Sequence, residues 1–208
     1  MSAVKTVIVS GSASRPSRTL ILAEQISIAL SQQLELDLHV VDIADVGSDL
    51  GRALTRDDLS EAAERALGVV ESAQILIAAT PVYRGSYTGH FKHLFDLIAQ
   101  EALVDVPVIL AATGGGQRHT LVIEHQLRPL FAFLQAFAVP VGIYATHTDF
   151  RDGVLTSELV RARVSLAARQ AAQLVRPANS ARVSGSRAAL SASRDAPIFR
   201  ATTEHGQS

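Results

Sequence analysis

A run of hydroxyl side chains with two arginines near the N-terminus has the chemistry of an anion-binding loop. Residues 10–19 read SGSASRPSRT and follow a short apolar run at residues 4–9. Small side chains let an anion approach the backbone N–H groups at the start of a helix, where the helix dipole favours negative charge. The segment therefore favours a phosphate monoester as its ligand, and a polar turn capped by serine is the alternative.

The chain lacks the motifs of several other phosphate-binding proteins. The segment at 10–19 contains neither the G-x-x-x-x-G-K-[ST] pattern of a P-loop nor the G-x-G-x-x-G pattern of a dinucleotide fold. ATPases and standard Rossmann dehydrogenases therefore lose support. The chain has no cysteine, which excludes disulfides, thiolate metal sites and the cysteine nucleophile of a low-molecular-weight phosphatase.

Two further segments combine glycines with aromatic or polar residues and indicate a surface for a flat ring. Residues 80–89 read TPVYRGSYTG, and Tyr83 in this segment could stack on an aromatic ligand. Residues 113–117 read TGGGQ, and consecutive glycines are typical of backbone that approaches a ligand closely. Ordinary turns are the alternative for both segments.

The rest of the chain supplies the elements that would position these segments. Short apolar runs predict strands at residues 4–9, 36–43, 75–80, 108–113 and 141–145. Apolar residues at helical spacing and capping signals predict helices at residues 17–30, 59–71, 88–101, 117–137 and 156–176. This alternation predicts an α/β three-layer sandwich with a parallel sheet, right-handed crossovers and the flavodoxin-like strand order 2-1-3-4-5.

The predicted topology brings the three segments together. In a parallel sheet of this kind, ligands bind beyond the carboxyl ends of the strands, beside the point where the strand order reverses. Each of the three segments follows a predicted strand. We therefore expect one composite site at this edge of the sheet.

Taken together, these residues resemble the NAD(P)H-dependent FMN reductases. The closer resemblance is to the small flavin reductases of two-component alkanesulfonate and methanesulfonate monooxygenase systems, and it covers about residues 3–175. The matching motifs are Gly11-Ser12 with Ser17-Arg18-Thr19, then Thr80-Pro81-Val82-Tyr83 with Ser86, Gly89, Lys92 and Asp96, and last Ala112-Thr113-Gly114-Gly115.

The resemblance implies a flavodoxin-like fold and hydride transfer from NAD(P)H to the N5 atom of FMN. The two cofactors carry this chemistry, so no catalytic acid or base is assigned. The residues implied to hold the FMN phosphate are Ser12, Ser17, Arg18 and Thr19, with Arg15 as a further contact. Those implied to border the isoalloxazine ring are Pro81, Val82, Tyr83, Arg84, Thr113, Gly114 and Gly115.

The resemblance also implies partners. In the two-component subgroup FMN is a substrate that leaves reduced, to serve a separate flavin-dependent monooxygenase of organosulfur metabolism, and a homodimer or homotetramer is expected. The alternatives are a quinone, azo or chromate reductase that retains FMN, and a flavodoxin-like electron carrier. Flavodoxins are usually strongly acidic, whereas the formal net charge here is −1. That balance also argues against a nucleic-acid partner.

A proline inside the predicted fourth helix indicates an irregularity. Pro129 offers no N–H to the preceding turn, so we expect a kink or a π-type bulge at about residues 124–128. The two-component flavin reductases are similar in having a π-bulge with an inserted Tyr or His in this helix, and His125 lies at the matching position. Our hypothesis is that the bulge tunes flavin release and assembly. A plain kink with a solvated histidine is the alternative.

The remaining predictions concern boundaries and compartment. We expect residues 1–176 to form the domain and residues 177–208, which are rich in Ser, Ala and Arg, to be a disordered tail or an arm on a neighbouring subunit. No signal peptide or membrane span is recognised, and we expect a cytoplasmic protein. His90 and His93 lack a carboxylate partner, so no metal is expected. Lys92 and Asp96 have the spacing of a helical ion pair.

Overall fold

The computed structural model describes the backbone of residues 2–181 and the side chains of residues 2–175. The chain divides into two compact units, Met1–Arg176 and Pro177–Ser208. The first unit carries the sheet and the candidate site. The last helix ends at Ala181 rather than at residue 176, and the rest of the predicted tail, residues 182–208, lies outside the described residues.

A parallel sheet forms the centre of the first unit. Its strands are β1 (Val4–Ser10), β2 (Leu36–Asp42), β3 (Ile75–Pro81), β4 (Pro107–Gly114), β5 (Phe137–Ala138) and β6 (Ile143–Thr146). Their order is β2-β1-β3-β4-β5, with β6 also paired to β4, and each of these pairings is parallel. The flavodoxin-like fold is thereby confirmed.

The edge position beside β4 differs from the prediction, because two short strands occupy it in place of one. β5 pairs with the start of β4, and β6 pairs with its end. Pro140 lies between them and has no N–H to donate to a ladder. The Arg128 side chain donates instead to the carbonyl oxygens of Val139 and Pro140, each at 3.1 Å.

Helices cover both faces of the sheet. They are α1 (Arg18–Ser31), α2 (Ile43–Leu50), α3 (Glu61–Glu71), α4 (Gly89–Leu97), α5 (Arg128–Phe133) and α6 (Glu158–Ala181). The strands β1, β3 and β4 are buried along almost their whole length, because each of their faces packs on a helical layer. One apolar cluster joins the sheet to α1 and α6, and the other joins it to α2, α3, α4 and α5.

Two details of the second layer were not predicted. Helix α2 was missed, and its glycine, Gly47, lowers the helix signal of this stretch; a Cβ at Gly47 would lie 3.1 Å from Ile43 Cγ2. Thr55 and Asp58 form a capping box that begins a 3₁₀ turn, Arg56–Asp58, ahead of the third helix. Helix α3 begins later, with Ser60 as its N-cap.

The extent predicted for the fourth helix, residues 117–137, is wrong, but the irregularity predicted within it is present. A 3₁₀ turn covers Gln117–His119, a π-helix covers Ile123–Leu127, and α5 then ends at Phe133. The π-bulge predicted from Pro129 is therefore confirmed. A small antiparallel pair, β7 (Phe150–Arg151) and β8 (Val154–Leu155), precedes α6. Across the described residues, none of the helices has the length and apolar content needed to cross a membrane.

Candidate functional site

A cleft of about 460 Å³ lies beyond the carboxyl ends of β1, β3, β4 and β6. All the sequence-predicted contact residues line it except Arg15 and Arg84, and four further residues join them. The lining residues are Ser12, Ser14, Pro16, Ser17, Arg18, Thr19, Pro81, Val82, Tyr83, Thr113, Gly114, Gly115, Thr146 and His147. The three segments predicted to meet at one edge of the sheet do meet there.

The first wall of the cleft is the loop between β1 and α1. Ser17 is the N-cap of α1, and its hydroxyl accepts the Leu20 N–H at 3.1 Å. The Ser12 hydroxyl accepts the Ser14 N–H at 3.2 Å. The first turn of α1 contains no acidic residue, so no side chain in that turn offsets the positive end of the helix dipole. This wall has the polarity that an anion requires.

Gly11 holds this loop against the neighbouring strand and helix. Its N–H donates to the carbonyl oxygen of Ala79 at 2.7 Å, and its own carbonyl accepts the Thr88 hydroxyl at 2.9 Å. A Cβ at this position would lie 2.8 Å from Phe91 Cδ2 and 2.9 Å from Thr80 Oγ1. Glycine is therefore required for the close approach that fixes the first loop.

The two arginines of the first loop have different surroundings. Arg18 lines the cleft. Arg15 does not; its guanidinium donates to Asp45 at 2.6 Å and to the buried Asp42 at 3.3 Å. In this arrangement Arg15 ties the loop to the start of α2, and Arg18 is the arginine available to a ligand in the cleft.

The second wall is a tight turn after β3. Tyr83 and Ser86 exchange backbone hydrogen bonds, with Tyr83 N to Ser86 O at 2.9 Å and Ser86 N to Tyr83 O at 3.2 Å. The turn places Arg84 at φ 53° and Gly85 at φ 86°, in the left-handed region. Tyr83 stands at the rim of the cleft and is 50% exposed, while Arg84 is exposed at the tip of the turn.

The third wall is the glycine segment after β4. The Thr113 hydroxyl lies 2.7 Å from the Thr19 hydroxyl, and this buried pair joins the third wall to the first. The Tyr144 hydroxyl donates to the Gly116 carbonyl oxygen at 2.7 Å, and burial raises the pKa of Tyr144. A Cβ at Gly114 would lie 2.1 Å from the Tyr144 hydroxyl oxygen, whereas Cβ atoms at Gly115 and Gly116 would meet nothing within 4 Å.

A fourth wall, at the end of β6, was missed from the sequence. Thr146 begins a capping box in which its N–H and hydroxyl donate to Asp149 Oδ2 at 2.7 and 2.8 Å. Burial opposes ionisation of Asp149, but the hydrogen bonds from Thr146 and Ser157 and the nearby His147 together outweigh it and hold the pKa of this carboxyl below its ordinary value. The turn places His147 in the cleft. The T-x-x-D pattern directly after the predicted strand was the available signal.

Two side-chain groups outside the cleft bear on other predictions. The predicted ion pair between Lys92 and Asp96 is present. His93 Nε2 lies 3.0 and 2.9 Å from the carbonyl oxygens of Leu50 and Ala53. Within residues 2–175, no cluster of three or more His, Asp or Glu is placed to hold a metal ion.

The chemistry of the cleft differs between its walls. The first wall offers hydroxyls, a helix N-terminus and Arg18, which together suit a phosphate. The second and third walls offer a half-exposed tyrosine and backbone whose approach is unobstructed at Gly115, which together suit the face and polar edge of a flat ring. A phosphorylated heteroaromatic such as FMN fits this set of groups.

Comparisons with known proteins agree with this chemistry. A model of the NADPH-dependent FMN reductase family matches residues 4–151. The NADH-dependent FMN reductase SfnE of Pseudomonas putida is 52% identical over 171 residues, which cover 82% of this chain and 92% of that protein. The FMN reductase (NADPH) of Pseudomonas aeruginosa is 49% identical over 170 residues, which cover 82% of this chain and 91% of that protein.

Solved structures of oxidoreductases also superpose on this chain. An oxidoreductase from Corynebacterium diphtheriae superposes with a TM-score of 0.77 at 32% identity, over 84% of this chain and 98% of that one. The apo form of the NADH:FMN oxidoreductase EMOB superposes with a TM-score of 0.73 at 28% identity, over 82% of this chain and 89% of that one. The chain therefore belongs to the NADPH-dependent FMN reductase family.

Proposed function

We propose that this NAD(P)H-dependent FMN reductase supplies reduced FMN to a separate flavin-dependent monooxygenase of organosulfur metabolism. The observation that carries the proposal is one cleft that combines a wall of hydroxyls, a helix N-terminus and Arg18 with an open rim at Tyr83. The flavin and the nicotinamide supply the hydride-transfer chemistry when bound, so the task of the protein is to bind and orient them. We assign no catalytic acid or base.

We propose that the phosphate end of FMN is held by the first wall. Ser12, Ser17 and Arg18 line the cleft there, beside the N-terminus of α1. Thr19 is 2% exposed and its hydroxyl is paired with Thr113. Its contribution is therefore to hold the two walls together as well as to line the site.

We propose that the ring end is bordered by the second and third walls. Pro81, Val82 and Tyr83 supply one border, and Thr113, Gly114 and Gly115 supply the other. The N–H of Val82 donates to the Thr113 carbonyl at 2.7 Å, which links the two borders. The exposed Tyr83 leaves the rim accessible, and an accessible rim favours exchange of flavin over permanent retention.

One kinetic experiment tests the proposal and separates it from a retained-flavin reductase. The purified chain is mixed with FMN and either NADH or NADPH, and oxidation is followed at the nicotinamide absorbance band. We expect colourless protein that oxidises the nicotinamide only when FMN is added, and that supplies reduced FMN to a monooxygenase present in the same cuvette. Yellow protein that reduces quinones or azo dyes with ping-pong kinetics would identify a reductase that retains its flavin. Absence of turnover with FMN would overturn the proposal.

A homo-oligomer remains a prediction, and a groove of about 500 Å³ supports it. The groove lies between α4 and the segment containing the π-helix and α5, and His125 lines it together with Pro129 and Phe133. Phe133 is 70% exposed, so a second copy would remove its ring from water. Light scattering of the wild type and of Phe133→Ser measures this directly, and we expect a smaller particle for the variant. A cytoplasmic location also remains a prediction.

A further inference from the structure

We propose that Tyr144 is a positioning residue for flavin binding, because its hydroxyl holds the glycine segment Gly114–Gly116 in the shape that borders the cleft. Tyr144 does not line the cleft. It lies on β6, which pairs with β4 as far as Gly114, the first residue of this segment, and it is only 8% exposed. The inference rests on the proposed flavin-binding role of the third wall.

The first supporting observation is the hydrogen bond to the segment. A phenol has one O–H hydrogen, and Tyr144 donates it to the Gly116 carbonyl oxygen at 2.7 Å. The same carbonyl receives the His119 N–H at 3.4 Å, which is the longer of the two contacts. Burial raises the pKa of Tyr144, so the phenol stays protonated and remains a donor at neutral pH.

The second observation is the space that the hydroxyl occupies. A Cβ at Gly114 would lie 2.1 Å from the Tyr144 hydroxyl oxygen and 3.1 Å from its Cζ. The absence of a side chain at 114 is thus what lets the hydroxyl pass beside the backbone and reach Gly116. Gly115 and Gly116 have no such neighbour within 4 Å of a Cβ, so packing of this kind constrains the segment at Gly114.

These contacts place Tyr144 at the end of the segment that lies beyond the strand pairing. Thr113 is held by its hydroxyl pair with Thr19 and by the Val82 N–H, at 2.7 Å each. Beyond Gly114 the strand pairing with β6 ends, since Gly114 and Thr146 form the last pair. The phenol therefore fixes the part of the third wall that the sheet no longer holds.

The test is Tyr144→Phe, which removes one oxygen atom and keeps the ring. We expect the dissociation constants of FMN and of riboflavin to rise by the same factor, about 3- to 10-fold, which is the range that one net hydrogen bond gives. Turnover at saturating FMN should stay at the wild-type value, because Tyr144 touches no reacting group. The matched control is Tyr87→Phe; Tyr87 lines the groove beside α4, and its replacement should leave both dissociation constants unchanged.

A second variant, Gly114→Ala, tests the contact between Gly114 and the Tyr144 hydroxyl. Gly114→Ala should weaken the binding of both flavins in the wild-type background, because the added Cβ collides with the phenol oxygen. In the Tyr144→Phe background the same change should raise the dissociation constants by a smaller factor, since the nearest contact of the Cβ becomes the ring carbon at 3.1 Å. A double-mutant cycle measures this coupling.

The outcomes separate this inference from the proposed function. If wild type binds flavin but Tyr144→Phe leaves both dissociation constants within about twofold while lowering the melting temperature, Tyr144 is only a packing residue and the inference is overturned. Additive effects in the cycle would also overturn it. If wild type binds neither flavin, the proposed function itself fails.

Discussion

Replacing Arg18 with alanine should weaken FMN binding about tenfold and leave riboflavin binding unchanged. A hydrogen bond to a charged group contributes about 1.5–3 kcal/mol. Arg18 is exposed, so we take the lower end of this range, about 1.5 kcal/mol, which corresponds to about a tenfold change in the dissociation constant. Riboflavin lacks the phosphate, so its dissociation constant should not change.

The matched control is Arg15→Ala. Arg15 belongs to the same loop, but its guanidinium is occupied by Asp45 and the buried Asp42. Its side chain does not line the cleft, so its removal should change FMN affinity by less than about threefold. The difference between the two variants isolates direct phosphate contact from support of the loop.

The assay is titration of each flavin by quenching of its fluorescence, at low and at high ionic strength. Salt screens exposed charges, so the defect of Arg18→Ala should shrink as salt is added. The reasoning would be refuted if Arg15→Ala, and not Arg18→Ala, lost FMN selectively. In that case Arg15 would leave Asp42 and Asp45 when a phosphate binds.

Three further predictions follow from individual contacts. Thr113→Val should lower the free energy of unfolding by about 1–2 kcal/mol, measured by urea titration, because it leaves the buried Thr19 hydroxyl without its 2.7 Å partner. The hydrogen bond from Arg128 holds the pKa of Glu124 below its ordinary value. The pair should therefore stabilise the fold above the ordinary pKa of a glutamate and lose that effect as the pH falls through the lowered pKa. Urea midpoints of Glu124→Gln and wild type should converge in acid, and a constant gap would contradict this. Deletion of His125 should remove the π-helix and leave FMN bound through purification, seen as yellow protein, whereas a colourless and fully active variant would count against that role.

Much of the fold followed from local patterns. The runs at residues 4–9, 75–80 and 108–113 predicted buried parallel strands because such strands are apolar on both faces, and the structure has β1, β3 and β4 there. Pro129 predicted the π-bulge because a missing N–H is a purely local defect. The position after β6 carried a capping-box signal, but a short capping box does not reveal that His147 faces the cleft.

What the sequence by itself determined was which segments meet. Strand order follows from the alternation of strands and helices, and the carboxyl ends of parallel strands share one edge, so the hydroxyl, tyrosine and glycine segments had to converge. Only the tertiary structure decided which side chains face the cleft. The sequence offered both Arg15 and Arg18 as phosphate contacts, whereas in the structure Asp42 and Asp45, contributed by another element, hold Arg15 away from the cleft. Gly114 is likewise explained by a contact across the sheet, since the Tyr144 hydroxyl occupies the space that a side chain would need there. Such a long-range contact cannot be predicted from adjacent residues, whereas periodicity can.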